Sequence, residues 1–184
     1  MKEIEGHTLS DAVLDVHLAS RPGVWATGPL GWSFRRLIEA FRRVCETMAY
    51  AHSKGVCHRD LKPANIMVGA WGEVLVVDWG LAKVSCAGAD EDSGDYQAPG
   101  TGSDEQTLVS TFREGEDDLG TRVGTVTGTP TYMAPEQARG DLDAIGPETD
   151  VYSLGVLLYV ILSGRSPYHG QKGATLDKLL AGPP

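Results

Sequence analysis

The chain has no apolar run long enough to cross a bilayer: its longest, over residues 151–162, falls short of the roughly 20 residues that a membrane-spanning helix needs. Met1-Lys2-Glu3-Ile4-Glu5 has no apolar core, so no secretory signal is expected here. Cysteine is scarce. Cys45, Cys57 and Cys86 are odd in number and form no C-x-x-C pair, which disfavours a disulfide scaffold and a cysteine metal site, so they are expected to be reduced thiols of a cytoplasmic protein, whose full length could still carry a membrane anchor outside this chain. Basic excess is lacking too. The formal charge is −9, and residues 86–118 account for all of it, with ten carboxylates against the single base Arg113. That concentration disfavours a nucleic-acid partner there and says little about the rest. What remains is ordinary for a globular domain, with 41% hydrophobic and 22% charged residues over 184 positions.

Apolar residues at helical spacing behind Thr8 and Ser10, both read as capping residues, predict a short helix over 8–20. The Gly- and Pro-rich stretch 21–32 reads as a loop. Ser33 then reads as the N-cap of a strong amphipathic helix ending near Gly55, with Phe34, Leu37, Ile38, Phe41, Val44, Cys45, Met48 and Ala49 as its core stripe. Two short apolar runs, 65–68 and 74–77, flank Gly69-Ala70-Trp71-Gly72 and predict a β-hairpin. Residues 86–118 are too polar to offset the entropy of ordering, so a disordered insertion is expected, either merely solvated or regulatory. The nearly all-apolar stretch 150–162, with Gly155 inside it, predicts a helix buried at the domain centre, and 176–180 begins another.

Within this frame stands His58-Arg59-Asp60-Leu61-Lys62-Pro63-Ala64-Asn65, matching H-R-D-x-x-x-x-N. An Asp that accepts a hydroxyl proton and an Asn that holds a metal ion must face one phosphoryl group from one tight loop, and this spacing provides that. Alone, Asp60 reads as readily as a turn-forming loop residue. Three further strings follow in order: an apolar run ending in Asp78-Trp79-Gly80, then Ala134-Pro135-Glu136, then Asp150 opening the apolar helix. Together these four resemble the eukaryotic-like protein kinase family in its bacterial serine/threonine form, to which Tyr132-Met133-Ala134-Pro135-Glu136-Gln137-Ala138 is also similar.

The resemblance implies an α+β, mainly α fold: the C-terminal lobe of a protein kinase with a small β-hairpin at the catalytic loop, the N-terminal β-lobe being absent from this chain. It divides the chain into a hinge-like segment (1–7), helices with the catalytic loop and metal-binding hairpin (8–85), the acidic insertion of the activation segment (86–118), and the rest of that segment with the central helix (119–184). ATP and Mg2+ would be the cofactors, and a protein serine or threonine hydroxyl the acceptor. Asp60 would take the hydroxyl proton, Lys62 neutralise the γ-phosphate, and Asn65 and Asp78 hold magnesium. Thr129 would contact Asp60 and Lys62, although a plain turn residue before Pro130 fits it as well. Backbone groups of Lys2 and Ile4 would meet the adenine, with Met67 beneath it.

Structural and regulatory roles fall to His58, Trp79, Arg59, Thr121, Thr125, Glu136 and Asp150. Arg59 would pair with a phosphate on the activation segment, Thr121 and Thr125 being the acceptors favoured there. Asp150 would hydrogen-bond the catalytic-loop backbone, or satisfy its own helix N-terminus, or both. Trp79 replaces the family's Phe, so a larger ring must find room. Glu136 would lack the arginine that partners it in longer members. The chain carries no G-x-G-x-x-G-x-V and no V-A-I-K lysine, so the alternative is a non-catalytic, pseudokinase-like binding module without the ATP-clamping lobe.

Overall fold

The computed structural model describes residues 6–84, 131–168 and 172–181. In chain order the elements are β1 (His7–Thr8), α1 (Leu9–Ala19), α2 (Phe34–Ser53), β2 (Val56–Cys57), β3 (Ile66–Val68), β4 (Val74–Val76), β5 (Lys83–Val84), α3 (Pro135–Arg139), α4 (Pro147–Ser163) and α5 (Lys172–Ala181). Single 3-10 turns occupy Pro63–Asn65, Trp79–Leu81 and Leu142–Ala144. Helix dominates and the sheets are small, as the α+β, mainly α reading requires. The expected insertion over 86–118 lies outside the described residues.

Helix α1 starts where its capping chemistry demands. The Thr8 hydroxyl accepts from the Asp11 backbone N–H at 3.2 Å, and the Asp11 carboxylate accepts from the Thr8 backbone N–H at 3.1 Å. This reciprocal pair satisfies two helix-end donors and leaves Ser10 inside the first turn, not at the cap. Ser33 caps α2, its Oγ accepting from the Arg36 N–H. The stripe of α2 is rotated from the expected one. Leu37, Ala40, Val44, Met48 and Ala51 are buried, Phe34, Ile38, Phe41 and Cys45 are half-buried, and Ala49 is exposed. The buried line runs through Ala40 and Ala51, which leaves Ala49 on the solvent side.

The hairpin pairs Ile66 with Val76, Met67 with Leu75 and Val68 with Val74. Asn65 and Val77 fall outside the strands proper, though the Val77 N–H still donates to the Asn65 carbonyl at 2.9 Å. Strand β1 adds to the other edge of β3, giving the order β1-β3-β4. Gly6 permits this approach, since a Cβ there would stand 2.6 Å from the Val68 carbonyl oxygen. A second ribbon pairs β2 with β5, joining the residues before His58 to those after the Trp79 turn.

The main core unites α1, α2, the hairpin and α4 through Leu9, Val16, Leu37, Met48, Ile66, Leu157 and Ile161, all essentially inaccessible. Each large side chain removed from water there contributes about 1.5–3 kcal/mol. Helix α4 is buried along Val156, Leu157, Val160 and Ile161, while Val151, Tyr159 and Leu162 face outward. The expected burial therefore holds for one side of the helix. Gly155 lies on the outward side with open space about it. A smaller cluster of Met133, Ala138, Tyr168 and Leu179 ties α3 to α5.

Candidate active site

One carboxylate organises the catalytic loop. Asp150 lies in the first turn of α4 and is fully buried. Its Oδ1 accepts from the Arg59 backbone N–H at 2.8 Å, and its Oδ2 from the His58 backbone N–H and from His52 Nε2, each at 2.8 Å. Such charge-assisted bonds are about twice as strong as neutral ones. They clamp a loop that is not relaxed, because Arg59 has φ 72°, in the left-handed region that side chains avoid.

The loop brings Asp60, Lys62 and Asn65 together. Asp60 Oδ2 accepts from Lys62 Nζ at 2.7 Å and from Asn65 Nδ2 at 3.1 Å, while Asn65 Nδ2 also donates to the Asp60 carbonyl at 2.9 Å. With its nitrogen so engaged, the Asn65 side chain presents a carbonyl oxygen, the donor atom suited to a hard divalent cation. Asn65 is buried by the 3-10 turn Pro63–Asn65, whereas Asp60 and Lys62 are partly open.

Asp78 reaches the same region from the hairpin. It is exposed, follows β4 directly, and has φ 64°. His58 couples the two segments: its Nδ1 accepts from the Asp60 N–H at 3.2 Å, so its Nε2 carries the proton that it donates to the Val77 carbonyl at 3.1 Å. Trp79 has found its room beside that ring. Its centroid lies 4.7 Å from the imidazole of His58, and its indole N–H donates to the Val76 carbonyl at 2.9 Å, a bond that Phe could not make. Met67 stands half-buried in the middle of β3, opposite Leu75 and Thr8.

The segment after residue 130 docks on this loop through side chains that the motifs did not single out. Gln137 Nε2 donates to the Arg59 carbonyl at 2.7 Å while its Oε1 accepts from the Ala134 N–H at 3.0 Å. Ser153 Oγ donates to the Tyr132 carbonyl at 2.8 Å. Gln137 stands inside the string 132–138 that resembles the family, but nothing in that string marked it as a brace for the loop. Glu136 accepts from the buried Thr149 hydroxyl at 2.7 Å. Arg59 Nε is buried with no hydrogen-bond partner among the described residues. His52, Cys57 and Asp150 place a nitrogen, a sulfur and an oxygen within 4.8 Å of one another. Both Asp150 oxygens already accept hydrogen bonds, Oδ2 from His52 within this grouping and from the loop, Oδ1 from the loop. Lys2, Ile4, Thr121, Thr125 and Thr129 lie outside the described residues.

A buried Asp clamping a strained H-R-D loop, with a hairpin Asp delivered beside it, defines the catalytic core of a protein kinase. A family model described as "Protein kinase domain" matches residues 31–181, and the chain belongs to that family. Among curated proteins it is similar to the serine/threonine-protein kinase PknD of Protochlamydia amoebophila, with 42% identity over 97% of this chain. It is also similar to the PknD proteins of Chlamydia felis and Chlamydia caviae, 37% and 36% identical over 96% of the chain. The chain spans only 16–17% of the length of these relatives. No helix among the described residues is long and apolar enough to cross a membrane.

Proposed function

We propose that this chain supplies the catalytic lobe of a serine/threonine protein kinase, which transfers the γ-phosphoryl group of ATP to protein hydroxyls. One observation carries the reading: Asp60 Oδ2 holds both Lys62 Nζ and Asn65 Nδ2. A binding-only module would not need that convergence of one base, one cation and one metal-ligand amide. In the reaction the other oxygen of Asp60 orients the acceptor hydroxyl and takes its proton, and Lys62 neutralises charge that develops on the transferred group. The donor set fits a hard divalent ion: the Asn65 carbonyl oxygen and the Asp78 carboxylate would hold Mg2+, which supplies charge neutralisation of the phosphates. Met67 would floor the adenine, with Lys2 and Ile4 as hinge, and Thr129 would support Asp60. Division of the chain at residues 7, 85 and 118 belongs to the same proposal.

The test is phosphate transfer by the complete protein from radiolabelled ATP to casein, followed by phosphoamino-acid analysis. Phosphoserine and phosphothreonine are expected. Asp60→Asn should abolish transfer while ATP–Mg2+ affinity stays within about threefold, since the base takes part in chemistry and not in nucleotide binding. Transfer retained by that variant would remove Asp60 from its role, and phosphotyrosine as the sole product would overturn the acceptor class.

A further inference from the structure

The turn that closes the β3–β4 hairpin displays Trp71 with 93% of its surface exposed. A lone apolar side chain at a surface is ordinary. The backbone beneath this one is fixed on all sides. The Gly69 N–H donates to the Glu73 carbonyl at 2.9 Å, the Gly72 N–H to the Gly69 carbonyl at 3.1 Å and the Trp71 N–H to Glu73 Oε2 at 3.1 Å. Two arginines seven residues apart on α2 add to these: Arg36 Nη2 donates to the Ala70 carbonyl at 3.0 Å and Arg43 Nη1 to the Gly72 carbonyl at 2.8 Å. A ring carried on such a turn is placed before any partner arrives, which removes much of the ordering cost of binding.

Beside the turn lies a pocket of about 330 Å3 lined by Gly6, His7, Leu30, Trp32, Arg36 and Ala70. That is at the small end of the roughly 300–1,000 Å3 of ligand pockets and suits one large side chain. Its wall already sets a guanidinium against an indole, with Arg36 Cζ 4.4 Å from the centroid of the Trp32 ring. Trp71 follows Ala70 directly, yet its exposed ring stands clear of this pocket. Knob and hole therefore adjoin on one face. We propose that this face joins two copies of the chain about a two-fold axis, the Trp71 ring of each entering the pocket of the other. The proposal does not depend on the kinase reading.

An isologous contact needs one patch that complements itself, and this patch does so twice. In shape, each copy supplies one ring and one hole. In charge, the exposed Glu73 stands beside the ring and Arg36 lines the hole, so the rotation that seats the rings also brings opposite charges together. Two buried tryptophans contribute about 300–500 Å2, well short of the roughly 1,200 Å2 of a stable interface, so the dimer is weak and concentration-dependent. It also leaves the catalytic residues open. Asn65 precedes β3 and Asp78 follows β4, whereas the turn closes the opposite end of these three-residue strands, about 10 Å away.

The experiment is sedimentation velocity on the complete protein over a concentration series, with Trp71→Ala, which removes the knob, and Leu30→Arg, which fills the hole. Ala70→Arg replaces the latter should it not fold. The wild type is expected to sediment faster as concentration rises. Each variant, at an unchanged melting temperature, should raise the dissociation constant at least about thirtyfold, the loss expected for a central aromatic anchor. An equal mixture of the two variants retains one intact ring and hole per pair, so it should associate more tightly than either variant alone. A wild type that stays monomeric throughout, a dimer that Trp71→Ala leaves intact, or a mixture no tighter than its components overturns the proposal.

Discussion

Asp150→Asn changes one atom at the point on which the loop hangs. Asp150 offers two acceptors to three donors: Oδ1 to the Arg59 amide, Oδ2 to the His58 amide and His52 Nε2. Asparagine offers one acceptor and one NH2. With its oxygen kept toward His58 and His52, the new amide nitrogen faces the Arg59 N–H; with the reverse orientation it faces His58 and His52. Either way at least one buried donor loses its acceptor and meets another donor. An unsatisfied buried donor costs about 1–3 kcal/mol, and the surviving bonds lose their charge assistance, so the total is about 2–4 kcal/mol. That is a large share of the roughly 5–15 kcal/mol by which domains are stable. For a chain of this size it lowers Tm by roughly 4–16 °C. Calorimetry of purified wild type and variant at one pH and salt concentration reads it. A shift smaller than about 2 °C would show that the backbone clamp does not depend on the carboxylate, and the reasoning on this site would fail.

Trp79→Phe keeps an aromatic ring beside His58 but deletes the indole bond to the Val76 carbonyl, so the urea midpoint should fall by the equivalent of about 1 kcal/mol. No loss would show that ring packing alone holds this turn. Thr8→Ala removes the cap of α1 and should cost about 1 kcal/mol at pH 7. The Thr8 hydroxyl, then its backbone N–H, hold the Asp11 carboxyl below its ordinary range, so this contribution is present above the unfolded pKa of about 3.9 and fades as pH falls through the lower folded value. The gap between wild type and Thr8→Ala in denaturant titrations should therefore narrow below about pH 4, and a constant gap would contradict the reciprocal cap. At position 59, where φ is positive, Arg59→Gly should be more stable than Arg59→Ala by about 0.5–1 kcal/mol, the reverse of the usual order, and the usual order would deny the strain.

What could be read from the sequence was what local chemistry dictates. The H-R-D-x-x-x-x-N spacing is set by the reach of one loop, so Asp60, Lys62 and Asn65 converge as their positions require. Helix α2 was legible because twenty residues repeat one period behind a serine cap. The two-residue strands β1, β2 and β5 were not, since a pattern of period two cannot be seen in two positions. Nor could five residues announce α3. The partners that brace the loop were hidden for another reason: Gln137 meets Arg59 across 78 positions and His52 meets Asp150 across 98. Burial of such polar groups is decided by tertiary packing, which a single sequence does not display. The same holds for Ala49, whose side of α2 depends on what packs against Ala40 and Ala51.

The two non-glycine residues with positive φ among those described, Arg59 and Asp78, belong to the two strings that the sequence marks as catalytic. Left-handed backbone costs each about 1–3 kcal/mol, and such strain survives only where neighbouring bonds oppose it. The opposing bonds are visible on both. The peptide groups of Arg59 are held from two directions, its N–H by Asp150 and its carbonyl by Gln137. The chain entering Asp78 is held at the Val77 carbonyl by His58 and at the Val76 carbonyl by Trp79. These bonds come from α4 and α3 for Arg59, and from the His58 loop and the adjoining Trp79 turn for Asp78, so each strained residue relies on at least one segment outside its own string. His58 links the two halves, because one imidazole accepts from the Asp60 amide and donates to the peptide before Asp78. A perturbation of α3 or α4 is therefore expected to reach Asp60 and Asp78 together, which makes the docking of residues 131–139 on the loop a determinant of both positions.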